Sequence, residues 1–133
     1  TYELDTLSGS GVSGTVNFRK QNDETTVITL QLTGTQAGNS HAAHIHSGPA
    51  GSGGGIVLGF TPVDGATGKR VTTVTQHDDG TAITYEGLID FDGHVNVHQS
   101  TTEMDVMIAQ GNIGSNATGV ESTSTDSGGD TGY

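Results

Sequence analysis

The segments Val12-Ser-Gly-Thr-Val-Asn-Phe18 and Thr26-Val-Ile-Thr-Leu-Gln-Leu32 decide the fold class. In each segment, apolar or small residues alternate with polar ones, which is the period-2 pattern of a strand that buries one face. A polar turn at residues 21–23 lies between the two segments. They are therefore predicted to form an antiparallel hairpin.

Similar short segments follow along the chain, and no stretch shows helical periodicity. The further predicted strands are 41–46, 56–60, 69–75, 82–90, 94–98 and 105–113. The basic start of 69–75 predicts an edge strand, and Asp92-Gly93 predicts a turn between 82–90 and 94–98. About eight short antiparallel strands at this spacing predict an all-β sandwich or barrel.

The composition predicts one domain followed by a polar tail. The chain has 133 residues, of which 30% are apolar and 22 are glycine. We assign the domain to residues 1–114 and the Ser/Thr/Gly/Asp-rich tail to residues 115–133. A tail of this composition buries too little to offset its conformational entropy alone. We therefore expect it to act as an assembly segment, with self-association through the termini.

The charge limits the partners that the chain could bind. There are 15 acidic and 4 basic residues, for a formal net charge of −11. Such a surface repels nucleic acid and anionic membranes, and no apolar run approaches the roughly 18 residues of a membrane span. The chain starts at Thr1 without a leader segment, so we expect a processed protein that is extracellular or attached to the cell surface.

The six histidines direct attention to metal binding, and their placement matters more than their number. In a strand, residues i and i+2 point the same way. His44 and His46 therefore share one face, while Ala43 and Ile45 share the other. Because the apolar pair belongs in the core, the two histidines are predicted to face outward.

The strand 94–98 repeats this arrangement. Val95 and Val97 share one face, and His94, Asn96 and His98 share the opposite one. If this strand lies beside the strand that carries His44 and His46, histidines from both can converge on the outer surface.

The predicted metal ligands are His44, His46 and His98, with His94 as a possible fourth. Imidazole suits copper, zinc and nickel, and the Irving–Williams order favours copper(II). Copper is thus the expected cofactor, with zinc as the alternative. The other interpretation is that these are ordinary exposed histidines on polar strand faces. There are no cysteines, so a thiolate site is excluded.

The remaining histidines are given other roles. His41 shares the parity of Ala43 and Ile45, so it is expected to point inward and to have a structural, hydrogen-bonding role. His77 lies in an acidic loop and is expected to be solvated. Met104 and Met107 are either soft thioethers that favour copper(I) or ordinary gap-filling side chains. Asn116 begins a glycosylation sequon.

Four separated motifs resemble one known family. They are His41-Ala-Ala-His-Ile-His-Ser-Gly-Pro-Ala50, Gly54-Gly-Ile-Val57, Gly93-His-Val-Asn-Val-His98 and Ala109-Gln-Gly-Asn-Ile113. In this order they resemble the chordin-type (CHRD) domain over roughly residues 11–114.

The His-x-x-His-x-His spacing of the first motif is also similar to the copper-binding strand of copper/zinc superoxide dismutase. That resemblance implies a Greek-key β-barrel. It also places His44, His46 and His98 on copper-ligand positions and His41 on a structural one.

The chain also departs from these patterns. The glycine-rich loop after His46 contains no histidine that could bridge to a zinc ion, and the last strand lacks the arginine of the CHRD pattern. A surface with a net charge of −11 would also repel superoxide. We therefore expect a secreted, non-enzymatic copper-binding domain that is a structural subunit of an extracellular homopolymer or surface assembly. The alternative is a copper-dependent redox enzyme of the superoxide dismutase type.

Overall fold

The computed structural model describes residues 1–7, 9–51, 54–103, 106–115 and 117. These residues form ten strands and one short helix. The elements are β1 (Tyr2–Thr6), β2 (Ser13–Asn22), β3 (Thr25–Thr33), β4 (Ser40–His41), β5 (Ala43–Ser47), β6 (Ile56–Gly59), β7 (Val63–Asp64), β8 (Lys69–Val74), α1 (Tyr85–Asp90), β9 (Asp92–His98) and β10 (Met107–Gly114).

Eight of these strands form one antiparallel sheet in the order β6-β5-β9-β10-β1-β2-β3-β8, and β4 pairs with β7. Strand β1 joins the two halves of the sheet, because Tyr2–Leu4 pair with β2 whereas Asp5 and Thr6 pair with β10. Several neighbours are distant in sequence, such as β10 and β1, so long connections cross over as in a Greek key. The prediction of an all-β antiparallel fold with about eight strands is confirmed.

The two halves of the curled sheet enclose the core. The predicted hairpin is confirmed as β2 and β3, in which Val16 pairs with Leu30 and Phe18 pairs with Ile28. Their buried side chains belong to the same cluster as those of β5, β9 and β10. The fully buried members from the latter strands are Ala43, Ile45, Val95, Val97, Ala109 and Ile113.

The predicted strand 82–90 is wrong, because Tyr85–Asp90 form helix α1. Thr84 caps the helix, and its hydroxyl accepts a hydrogen bond from the Gly87 amide at 3.0 Å. Ile83 and Leu88 are both buried. They are five positions apart, which a regular strand would place on opposite faces.

Other boundaries also differ from the prediction. The pair Asp92-Gly93 begins β9 and is not a turn. The segment 41–46 is divided between β4 and β5, and β1 was missed. The edge position predicted for 69–75 is confirmed, because β8 ends the sheet.

Most of the predicted tail, residues 115–133, lies outside the described residues. Only Ser115 and Ala117 of that segment are among the described residues, and the sequon at Asn116 lies outside them. In the part of the chain that the structure describes, there is no helix with the length and apolar character needed to cross a membrane.

Candidate metal centre

Strands β5 and β9 are neighbours, as the histidine prediction requires. In their antiparallel register His44 pairs with Asn96, and His46 pairs with His94. The apolar residues that alternate with the histidines in both strands lie in the core. Alternation along the strands therefore directs the histidines to the opposite face of the sheet.

Three of these histidines form a compact group. One ring nitrogen from each of His44, His46 and His98 lies within 4.8 Å of the other two. The distance from His44 Nδ1 to His98 Nε2 is 3.2 Å. Two nitrogens bound to one metal at 2.0–2.1 Å in tetrahedral geometry are about 3.3 Å apart. The spacing between His44 and His98 thus matches that of two ligands on one ion.

The hydrogen bonds of His46 show which of its nitrogens faces the group. Its Nδ1 lies 2.9 Å from the Gly54 carbonyl oxygen and, as the protonated nitrogen, donates to it. Its Nε2 is buried and has no hydrogen-bond partner among the described residues. A buried acceptor without a partner is costly, and a metal ion would satisfy it. The group therefore fits a metal through His44 Nδ1, His46 Nε2 and His98 Nε2.

The expectation that both strands turn their histidines to an open surface is wrong for β9. His94 is 1% exposed and His98 is 5% exposed, while His44 and His46 are half-buried. The glycine-rich loop after β5 folds back over this face. Its Ala50 amide donates to the side chain of Asn112 at 2.7 Å.

Two glycines of this loop support the histidines, which the sequence analysis did not foresee. The carbonyls of Gly48 and Gly54 accept hydrogen bonds from His94 Nδ1 at 2.7 Å and from His46 Nδ1 at 2.9 Å. Gly48 has φ 79°, a conformation that favours glycine. A Cβ on Gly54 would lie 1.8 Å from the Ser47 carbonyl oxygen. The available signal in the sequence was that histidines come directly before a glycine-rich run. Nothing in the sequence indicates that the loop folds back to contact them.

His94 and His41 lie beside the group without completing it. The His94 ring stacks on that of His46 with centroids 5.2 Å apart, and its nitrogens are not in the group of three. His41 is 4% exposed and points inward. Its Nδ1 contacts the carbonyl oxygens of His98 at 3.2 Å and Gln99 at 2.9 Å. His41 therefore braces the end of β9 that carries His98.

His77 is not the freely solvated residue that was expected. It is half-buried and its ring packs on Phe91, with centroids 5.9 Å apart. It lies outside the group of three.

Burial favours the neutral form of His44, which is the form that binds metals. The pKa of His44 is lowered from 6.5, mainly by desolvation and then by repulsion from His98 and His46, while Asp78 opposes the shift. Metal binding requires neutral imidazoles. The surroundings of His44 therefore favour its ligand form at neutral pH.

The family model for the CHRD domain matches residues 4–106, so this chain belongs to the CHRD family. CHRD domains are typical of extracellular proteins. No curated protein matches the chain significantly.

Proposed function

We propose that this chain is an extracellular, non-enzymatic CHRD domain that binds copper through His44, His46 and His98. The observation that carries this proposal is the approach of three imidazole nitrogens to within 4.8 Å of one another. Imidazole ligands suit copper and zinc, and copper(II) ranks highest for such a set. Zinc is the alternative metal.

The surroundings of the three histidines support this proposal. The Gly54 carbonyl fixes the His46 ring, and His41 holds the backbone of His98. The hydrogen bond from His46 to Gly54 is of the kind that orients a metal-ligating histidine and raises its affinity for the ion. Three protein ligands leave further positions for His94, water or another donor.

Titration of the metal-free protein tests the site. Copper(II) and zinc(II) are added in separate calorimetric titrations to the wild type, His46→Ala and His77→Ala. The proposal expects tight binding of about one copper per chain, loss of that binding in His46→Ala, and no change in His77→Ala. Equal binding by all three proteins would contradict it.

We also propose that the domain is a structural subunit of an extracellular homopolymer or surface assembly. Both end strands of the sheet present an exposed apolar residue: Ile56 on β6 is 50% exposed and Val71 on β8 is 49% exposed. Open sheet edges favour pairing with another chain. The polar C-terminal segment is the other expected contact. Light scattering coupled to size-exclusion chromatography tests this, and a clean monomer at high concentration would contradict it.

The alternative function is a copper-dependent redox enzyme, and the charge distribution argues against it. The basic residues lie on β2 and β8, whereas the three candidate ligands His44, His46 and His98 lie on β5 and β9. The Asp78 carboxylate acts electrostatically on His44, which is one of these three histidines. An anionic substrate such as superoxide is therefore repelled. Superoxide turnover by the copper-loaded protein that disappears in His98→Ala would favour the enzyme instead.

A further inference from the structure

Met107 lies beside the candidate metal centre because of the register between β9 and β10. Its Cα pairs with that of His98. Directly opposite residues in an antiparallel pair project to the same face, with Cβ atoms about 4.5–5.5 Å apart. The thioether of Met107 is therefore on the histidine face of the sheet.

A β-bulge produces this pairing. The register is regular from Gly114 to Ala109, and it shifts between Ala109 and Met107. Without the shift, Ile108 would stand opposite His98 and place an isoleucine on the histidine face. With the shift, Ile108 is buried in the core and Met107 takes that position. Bulges commonly redirect a side chain in this way near functional sites.

Hydrogen bonds locate the sulfur within the polar row next to the histidines. Met107 Sδ lies 3.9 Å from Gln110 Nε2. The same nitrogen donates to Asn96 Oδ1 at 2.7 Å, and Asn96 pairs with His44 across β5 and β9. Met107 is half-buried, and its three rotatable bonds let the sulfur move within this row.

We propose that Met107 supplies a thioether ligand to the metal bound by His44, His46 and His98, and that it makes the site selective for copper(I) over zinc. This inference rests on the proposed metal-binding function. Thioethers are soft ligands that select copper(I), whereas zinc is held by imidazole, carboxylate and thiolate groups. Met107 would thus convert a three-nitrogen site into a site of three nitrogens and one sulfur.

The test compares Met107→Leu with Met104→Leu, which removes the chain's other thioether. Leucine keeps a similar apolar volume. Copper(I) affinity is measured by competition with a chromophoric chelator, and zinc affinity by the same method with a zinc indicator. X-ray absorption of the copper(I) protein reports sulfur scattering at the metal.

We expect Met107→Leu to bind copper(I) about ten to a hundred times more weakly than the wild type. Losing a residue that only supports a metal ligand already costs this much affinity, and the loss of a ligand itself should cost at least as much. Sulfur scattering disappears, zinc affinity changes by less than about twofold, and Met104→Leu resembles the wild type. Unchanged copper(I) affinity in Met107→Leu, or equal losses in both variants, would overturn the inference about Met107 but not the proposed metal-binding function. Absence of metal binding by the wild-type protein would overturn the proposed function as well.

Discussion

Replacing Gly54 with alanine should weaken metal binding although Gly54 contributes no ligand. The new Cβ would lie 1.8 Å from the Ser47 carbonyl oxygen and 2.7 Å from the Ser47 carbonyl carbon. These are backbone atoms, so the loop itself has to move. The Gly54 carbonyl would then leave His46 Nδ1, which it now contacts at 2.9 Å.

The expected loss follows from the role of that carbonyl. Removing a hydrogen bond that orients a metal-ligating histidine typically costs 10–100-fold in affinity. This corresponds to about 1.4–2.8 kcal/mol of binding free energy. The matched control is Gly55→Ala, because a Cβ on Gly55 would have no atom within 4 Å.

Calorimetric titration with copper(II) measures the effect on both variants, and circular dichroism checks that each one folds. We expect Gly54→Ala to bind at least about tenfold more weakly than the wild type, and Gly55→Ala to match the wild type. A folded Gly54→Ala protein with wild-type affinity would refute the argument that the loop orients His46.

Three further predictions concern stability. The pKa of His44 is lowered in the folded state. The contribution of His44 to the stability of the metal-free protein should therefore be fully present above pH 6.5 and be lost as the pH falls below that value. Urea unfolding at a series of pH values checks this, and His44→Gln should reduce the slope of the unfolding free energy against pH. His41→Ala should lower the free energy of unfolding by about 2–4 kcal/mol, because a buried side chain and its hydrogen bonds are lost; a loss below about 0.5 kcal/mol in urea unfolding would contradict this. Gly93→Ala should lower the free energy of unfolding by about 1–3 kcal/mol, because the new Cβ would lie 2.5 Å from the Phe91 ring and 2.7 Å from the His46 carbonyl oxygen. A thermal unfolding midpoint equal to that of the wild type would argue against this prediction.

The sequence predicts those features that depend on local alternation. Parity along β5 and β9 is enough to separate the histidine face from the core, because Ile45 and Val95 are apolar and occupy intervening positions. The hairpin of β2 and β3 follows from the same pattern. Convergence of His44, His46 and His98 needed only the further assumption that these strands are neighbours.

Other features depend on contacts that are distant in sequence. Helix α1 was missed because Ile83, Tyr85 and Ile89 suggest alternation, whereas the Thr84 cap and the burial of Leu88 decide the conformation. The burial of His94 was missed because the path of the glycine-rich loop that contacts it has no sequence signature. The bulge beside Met107 depends on how Ile108 packs in the core.

The measurement that tests the central claim most directly is electron paramagnetic resonance of the purified protein after its copper has been oxidised to copper(II), combined with its metal content by mass spectrometry. The proposed site predicts about one copper per chain, with nitrogen hyperfine structure that disappears in both His44→Ala and His98→Ala. A protein that is isolated without metal and takes up no copper on addition would contradict it, and His44, His46 and His98 would then be ordinary strand residues.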